Sequence, residues 1–348
     1  MYYFTSDYTE GCHPQLLNAL AETNWEQTPG YGEDAYCEAA RQLIRKACQN
    51  DQADVHFLVG GTQANLTAIC AALRPHQGVL AAVTSHINTH EAGAIERTGH
   101  KVIEIAGRDG KLSAAQIEGE WKKYDTDPSR NHWVQPKLVY ISQPTELGTL
   151  YSKQELRDIY AVCRTYNLYL FIDGARMGYG LASPANDLTL PDITANCDMF
   201  LIGGTKVGAL FGEALVISNE EIKADFFSIM KQGGAVLAKG RLLGIQFKTL
   251  FEKGLYFEIS SHAVTLAMKI KTALKEAGIP LLIDSPTNQQ FPIFTKEQWE
   301  VLSKQFVLAL WEYLEDGRIA ARICTSWATR EDKTDELIAA IRNLAQKI

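Results

Sequence analysis

Several absences narrow the reading of this 348-residue chain before any motif is considered. Its seven cysteines (Cys12, Cys37, Cys48, Cys70, Cys163, Cys197 and Cys324) are odd in number, scattered, and never spaced as CxxC. That argues against a disulfide framework or a zinc site, and reduced thiols with no bound metal are expected. No block of lysine and arginine interrupts a formal net charge of −7, so neither nucleic acid nor an anionic membrane surface is expected as a partner. No apolar run approaches the roughly 18 residues that span a bilayer, and no secretory leader stands out. These absences lead us to expect a cytoplasmic protein. There is also no internal repeat, which excludes a solenoid.

What is present is a globular composition, with hydrophobic residues at 46% and charged residues at 22%, enough to bury a core. Short β-type runs alternate with helical stretches. The runs are "HFLVGG" (56–61), "GVLAAVTS" (78–85), "KVIEIA" (101–106), "KLVYISQ" (137–143), "LYLFID" (168–173), "MFLIGG" (199–204) and "EALVIS" (213–218). Several are apolar throughout, as strands buried on both faces are, and "TQANLTAICAAL" and "SKQELRDIYAVCRTY" between them read as helices. The alternation predicts an α/β domain built on a mostly parallel seven-stranded sheet.

After Ser218 the texture changes. A long helix near 240–275 is expected to join two units. Short strands "PLLID" and "QFPIF", a helix "KEQWEVLSKQFVLALWEYLEDG", a strand "RIAARICTS" and a final helix "DKTDELIAAIRNLAQKI" follow. We expect a large domain over 1–245, with a short N-terminal arm, and a small α+β domain over 246–348. "PSRNHWVQPK" and "ASPANDLTLPDIT" read as loops.

Ligands of such sheets bind outside the carboxyl ends of the strands, and there the unusual residues gather. Gly61 and Thr62 follow the first run and open a helix, where backbone amides and a hydroxyl cradle a phosphate. His86, Asp173, Arg176 and Lys206 follow three others. Each alone has an ordinary explanation. The glycines make a tight turn, His86 is a satisfied histidine, Asp173 caps a helix beside a solvated Arg176, and Lys206 extends its amine to water. Together they supply an anion cradle, an imidazole, a carboxylate, a guanidinium and an amine at one sheet edge. Pyridoxal 5'-phosphate calls for such a set: an amine for its aldehyde, an acid for its ring nitrogen, a cup for its phosphate and a flat group over its ring.

At these residues the sequence resembles the low-specificity threonine aldolase family, whose fold is the aspartate-aminotransferase-like, type I fold of pyridoxal-phosphate enzymes. "FTSDYTEG" resembles its RSDT-type segment, "GYGEDAYCEAARQL" its YGED motif and "GGTQAN" its SGTxxN motif. "SHINTHEAGA" resembles SHIxxxExGA, "IDGARMG" HIDGAR, "GGTKVGA" the lysine loop, and "ARICTSW" the RLVTH-type strand. The resemblance implies that Lys206 is the Schiff-base lysine, Asp173 pairs with the pyridine nitrogen, His86 stacks on the ring, and Gly61 and Thr62 hold the phosphate. It implies that Arg176 reaches the phenolic oxygen and the substrate region, that Ser6 and Arg322 bind the substrate carboxylate, and that His132 and Tyr31 lie near the substrate. His132 and His86, near Glu91, become the candidate bases. A homodimer or homotetramer with shared sites follows, with Lys231 and Lys239 placed toward a partner's phosphate.

The sequence departs from the family in two places. "ISQPTELGTLY" stands where ENTHN is common, and Ala238, with Lys239 beside it, stands where an arginine is expected. The implied reaction is cleavage of threonine-type β-hydroxy-α-amino acids to glycine and an aldehyde. The alternatives are a β-eliminating lyase acting on aromatic or other β-substituted amino acids, and a non-catalytic relative that binds or regulates.

Overall fold

The computed structural model describes residues 1–345, so the expected final-helix residues 346–348 lie outside the described residues. Seven strands form the large sheet: β2 (Asp54–Leu58), β3 (Gln77–Ala82), β4 (Val102–Ile105), β5 (Gln135–Ser142), β6 (Tyr169–Asp173), β7 (Met199–Gly203) and β8 (Glu213–Ile217), after an N-terminal β1 (Tyr2–Tyr3). Their order is β2-β8-β7-β6-β5-β3-β4, and only β8 runs antiparallel to its neighbours. Strands β3, β6, β7 and β8 are buried at every position, which is why they read as unbroken apolar runs. From β3 the chain steps outward to β4 and then returns to β5 on the other side. That reversal opens a crevice at the carboxyl ends of β3 and β5.

Helices cover both faces of this sheet. On one, Ala35–Cys48, Lys153–Thr165 and Arg241–Glu252 bury Ile44, Leu156, Ile159, Phe247 and Leu250; on the other, Gly61–Ala72 buries Ala64, Ala68 and Ile69. The helix expected near 240–275 is two helices, Arg241–Glu252 and Leu255–Glu276, separated at Gly254, whose φ of 76° lies in the left-handed region. Position 245/246 falls inside the first of them.

A four-stranded sheet follows, built from β9 (Gln289–Gln290), β10 (Ile293–Phe294), β12 (Ala309–Tyr313) and β13 (Ile319–Cys324), while β11 (Phe306–Val307) pairs in parallel with β1. Phe4 joins Ile270, Leu274, Phe294, Ile323 and Ile341 in the core of this second unit. Two expectations are corrected here. "PLLID" is not a strand, making only an isolated bridge from Leu281 to Pro292. The expected helix from Lys296 ends at Ser303, and β12 follows. Ladder pairing of Ala309–Tyr313 with β13 overrides the helical propensity of its leucine, alanine and glutamate. The loop over 182–194 also contains a short helix, Leu190–Thr194, opened by a Thr189–Asp192 capping box.

Candidate active site

Two glycines bring the ends of β6 and β7 together. A Cβ at Gly174 would lie 1.9 Å from the Leu201 carbonyl oxygen, and one at Gly203 would lie 2.2 Å from that of Ala175. The Gly203 N–H donates to Gly174 O at 2.9 Å across this contact. Asp173 ends β6, and Lys206 follows β7 in a loop tied back where Gly204 and Thr205 both donate to Gly212 O at 3.0 Å. The Tyr179 hydroxyl donates to Lys206 O at 2.6 Å and fixes the loop from beneath. Lys206 and Asp173 therefore border one cavity of about 730 Å³.

The Asp173 carboxylate is almost wholly buried and fully engaged. Its Oδ2 accepts from the Tyr140 hydroxyl at 2.5 Å and Asn65 Nδ2 at 3.0 Å, and its Oδ1 accepts from the Ala175 N–H at 2.8 Å. Burial favours the neutral acid, but the His86 imidazole and the Tyr140 and Asn65 donors outweigh it and hold the pKa below the ordinary value. Asn65 also donates to Glu91 at 2.7 Å, and Glu91 accepts from His86 Nδ1 at 2.8 Å. One amide thus joins the ring-nitrogen acid to the imidazole. Desolvation lowers the His86 pKa, yet the Glu91 bond and the Asp173 charge raise it further than burial depresses it. For Lys206, desolvation and the charge of Arg176 depress the amine pKa, against Asp7, Asp173 and Glu213.

Gly60 and Gly61 open the helix Gly61–Ala72, and a Cβ built at either meets no atom within 4 Å. Side chains at both positions would fill a space lined by amides of the first helical turn, whose N–H groups lack helical partners. Thr62 and Thr205 line the same cavity. Arg176 also lines the cavity, but its Nε and Nη2 are taken by Asp7 at 2.7 and 3.0 Å.

On the far wall Arg322, from β13, donates through Nη2 to Thr5 O at 2.9 Å and through Nη1 to Gln289 at 3.3 Å. Its Nε is buried with no hydrogen-bond partner among the described residues. The guanidinium carbon lies 5.6 Å from the centroid of the Trp311 ring, and Trp311 is part of the same wall. Ser6 is buried next in sequence to Thr5, whose carbonyl accepts from this arginine, and is not among the residues lining the cavity.

This structure gathers Gly61, Thr62, His86, Asp173, Arg176, Lys206 and Arg322 around one cavity. It does not bring His132 there. That residue is exposed on the short helix Arg130–His132, ahead of the amino end of β5, whereas the cavity opens at the carboxyl end of that strand. An eight-residue strand of roughly 3.3 Å per residue separates the two, which removes His132 from this chain's site. Tyr31, Lys231 and Lys239 are exposed and lie outside the cavity. Tyr31 and Lys231 do meet each other, with the ammonium 4.5 Å from the ring centroid. The site also holds residues that reading the sequence passed over. Tyr140 was a polar tip in an apolar strand, Asp7 stood within the quoted "FTSDYTEG", and Glu146 and Glu213 gave no signal beyond a charge between apolar neighbours.

The beta-eliminating lyase family model matches residues 4–345, nearly the whole chain. The chain belongs to the beta-eliminating lyase family. Its cofactor is pyridoxal 5'-phosphate. The open glycine cradle, the engaged acid and the amine of low pKa at Lys206 suit that group. Among similar members, the low-specificity L-threonine aldolase of a Pseudomonas species is 31% identical over 97% of this chain and 96% of its own length. The low-specificity L-threonine aldolase of Pseudomonas aeruginosa is 29% identical with the same coverage of both chains. The solved structure of Leishmania major threonine aldolase superposes with a TM-score of 0.96 at 46% identity, covering 99% of this chain and 100% of that one. The histidinol-phosphate aminotransferase of Clostridium acetobutylicum, at 14% identity and a TM-score of 0.74, shares the fold of this family member.

Proposed function

We propose that this chain is a carbon–carbon lyase that cleaves threonine-type β-hydroxy-α-amino acids to glycine and an aldehyde. The observation that carries the proposal is that Arg322 borders the same cavity as Lys206 and Asp173. An amino acid brings a carboxylate to the first and an amine to the second. Planar guanidinium recognition of the carboxylate fixes which bond at Cα is presented for cleavage.

When bound, pyridoxal 5'-phosphate supplies the electron sink into which the Cα–Cβ bond breaks. The chain's own groups do the rest. Asp173 stays ionised and holds a proton at the ring nitrogen. Lys206, its amine pKa depressed, is available in the neutral form that attacks a carbonyl. His86 holds Nδ1 against Glu91, leaving Nε2 to take the β-hydroxyl proton. Trp311 and Leu310 give the substrate side chain an apolar wall.

A second copy of the chain, in a homodimer or homotetramer, is part of this reading. The exposed Tyr31, Lys231 and Lys239, together with Trp25 at 93% exposure, support it as groups that lie outside their own subunit's cavity. The test is a product assay on a panel of β-hydroxy amino acids. Glycine and aldehyde in equal amounts are expected; ammonia and a keto acid would instead assign β-elimination.

A further inference from the structure

Most acids around the cavity already have partners. Asp7 holds Arg176, Asp173 holds Tyr140 and Asn65, Glu91 holds His86, and Glu146 accepts from the Ser142 hydroxyl at 2.6 Å and the His86 N–H at 3.0 Å. Glu213 is different. It is 4% exposed, borders the cavity, and forms no ion pair among the described residues. Its Oε2 accepts from the Gly204 N–H at 3.2 Å, with the Thr205 hydroxyl beside it.

Its place in the sheet says what it faces. Strand β8 lies between β2 and β7, and Glu213, its first residue, pairs in register with Leu58 and with Gly203. Just beyond Leu58 the chain opens into the Gly60–Gly61 cradle; just beyond Gly203 it reaches Thr205 and Lys206. Glu213 is therefore the floor between the anion cradle and the amine. On its own face of β8 Glu213 is in line with Leu215 and Ile217, which pack with the apolar Ala64 and Ala68 of the helix Gly61–Ala72, while Leu243 and Phe247 of Arg241–Glu252 pack on the opposite face. The ionisable groups that face it are Lys206, Asp173 and the Tyr256 hydroxyl, which itself donates to Gly203 O at 3.0 Å. Burial pushes the Glu213 carboxyl up to about 7, Asp173 adds to the rise, and Lys206 opposes it.

A carboxylate in the floor of a phosphate site sets like charges together in a place withdrawn from water, which favours the protonated acid. A protonated acid is also a hydrogen-bond donor, which a phosphate accepts. We propose that Glu213 meets the cofactor's phosphate as a neutral acid, so that the chain holds its cofactor tightly at low pH and releases it as this carboxyl ionises. The proposal rests on the cofactor site described above. Its sign is fixed by linkage: binding takes up a proton, so affinity is full below the Glu213 pKa and falls as pH rises through it.

The test titrates the apoprotein with pyridoxal 5'-phosphate and, separately, with pyridoxal, which lacks the phosphate, between about pH 6 and about pH 9 to bracket that ionisation. For the wild type, Kd for the phosphate ester should rise by up to about tenfold per pH unit above neutrality. Glu213→Gln keeps a permanently neutral donor and should bind the ester at least about tenfold more tightly than wild type at the alkaline end, with equal Kd at the acid end. Pyridoxal should not distinguish the two proteins. Should the variant fold poorly, proton uptake on mixing wild-type apoprotein with each ligand in weak buffer gives the same answer: more protons are taken up with the ester than with pyridoxal. Superimposable curves for wild type and variant, or equal uptake from both ligands, overturn the proposal. The same wild-type-to-variant difference with pyridoxal overturns it too, by assigning Glu213 to Lys206 instead. Wild-type protein that binds no pyridoxal 5'-phosphate at any pH removes the cofactor reading itself.

Discussion

Arg176 and Asp7, far apart in the chain, face each other in a fork of two hydrogen bonds, Nε to Oδ2 at 2.7 Å and Nη2 to Oδ1 at 3.0 Å. Asp7 is fully buried and is held in turn by Asn288 at 2.9 Å. Burial opposes the charge on Asp7, but Arg176, Lys206 and the Asn288 amide keep its pKa below the ordinary 3.8. Breaking such a pair leaves a guanidinium uncompensated. Asp7→Asn should lower unfolding stability by about 3–5 kcal/mol at neutral pH. A group with a depressed folded pKa contributes stability above its unfolded value and loses it as pH falls through the folded one. The gap between wild type and variant in urea melts should therefore shrink below the ordinary 3.8, and a constant gap would assign the loss to packing.

Lys206→Ala should be inactive yet folded. The amine borders the cavity and helps hold no core, so thermal unfolding should move little while the visible band of the lysine-bound cofactor disappears. Turnover near the wild-type level in that variant would falsify the mechanism.

Asp173→Asn retains the shape but loses the charge that Tyr140 and Asn65 are arranged to accept. Turnover should fall on the order of 10²-fold or more, roughly 3 kcal/mol of transition-state stabilisation. Single-turnover kinetics on cofactor-saturated variant protein measures this apart from any change in affinity.

Arg322→Lys should raise KM for the amino acid sharply, since an ammonium cannot make the planar two-bond contact. The amine analogue lacking the carboxylate separates this from a structural effect. Its binding should hardly change, and equal weakening of both ligands would give Arg322 a purely structural place beside Trp311 and Thr5.

The two histidines should also part company. His86→Asn removes the proton acceptor and should cost about 10²-fold in kcat/KM, within the usual range for a general base. His132→Ala, at the opposite end of β5, should leave kcat/KM within about twofold of wild type, as surface substitutions away from a site do.

The large sheet was legible because its strands are buried on both faces and so stand out as apolar runs, each found within a few residues of its true ends. The small sheet was not. Strand β12 exposes Leu310 and Tyr313, and its alanine, leucine and glutamate are good helix formers, so only the partner β13 makes it a strand. The same division runs through the site. Asp173 and Lys206 were legible because they end apolar strands with glycines beside them. The place of His132 in the fold was not legible, because a motif alignment carries no information about which end of a strand a residue occupies. Glu213 was invisible because a lone glutamate at a strand start gives no sign of being buried.

The pairing of β1 with β11 sets an order on how the molecule is made. Tyr2 and Tyr3 align with Phe306 and Val307, and the Cys324 N–H donates to Phe4 O at 2.8 Å, so β1 pairs with segments translated long after it. At typical synthesis rates, the segment carrying Phe4 waits on the order of half a minute on the ribosome before Phe306, Val307 and Cys324 emerge. Throughout that interval the large sheet can close, but the cavity lacks the wall that Trp311 and Arg322 supply. The site is thus among the last parts of the chain to come into being, and a stalled or clipped nascent chain would carry the lysine without the means to use it.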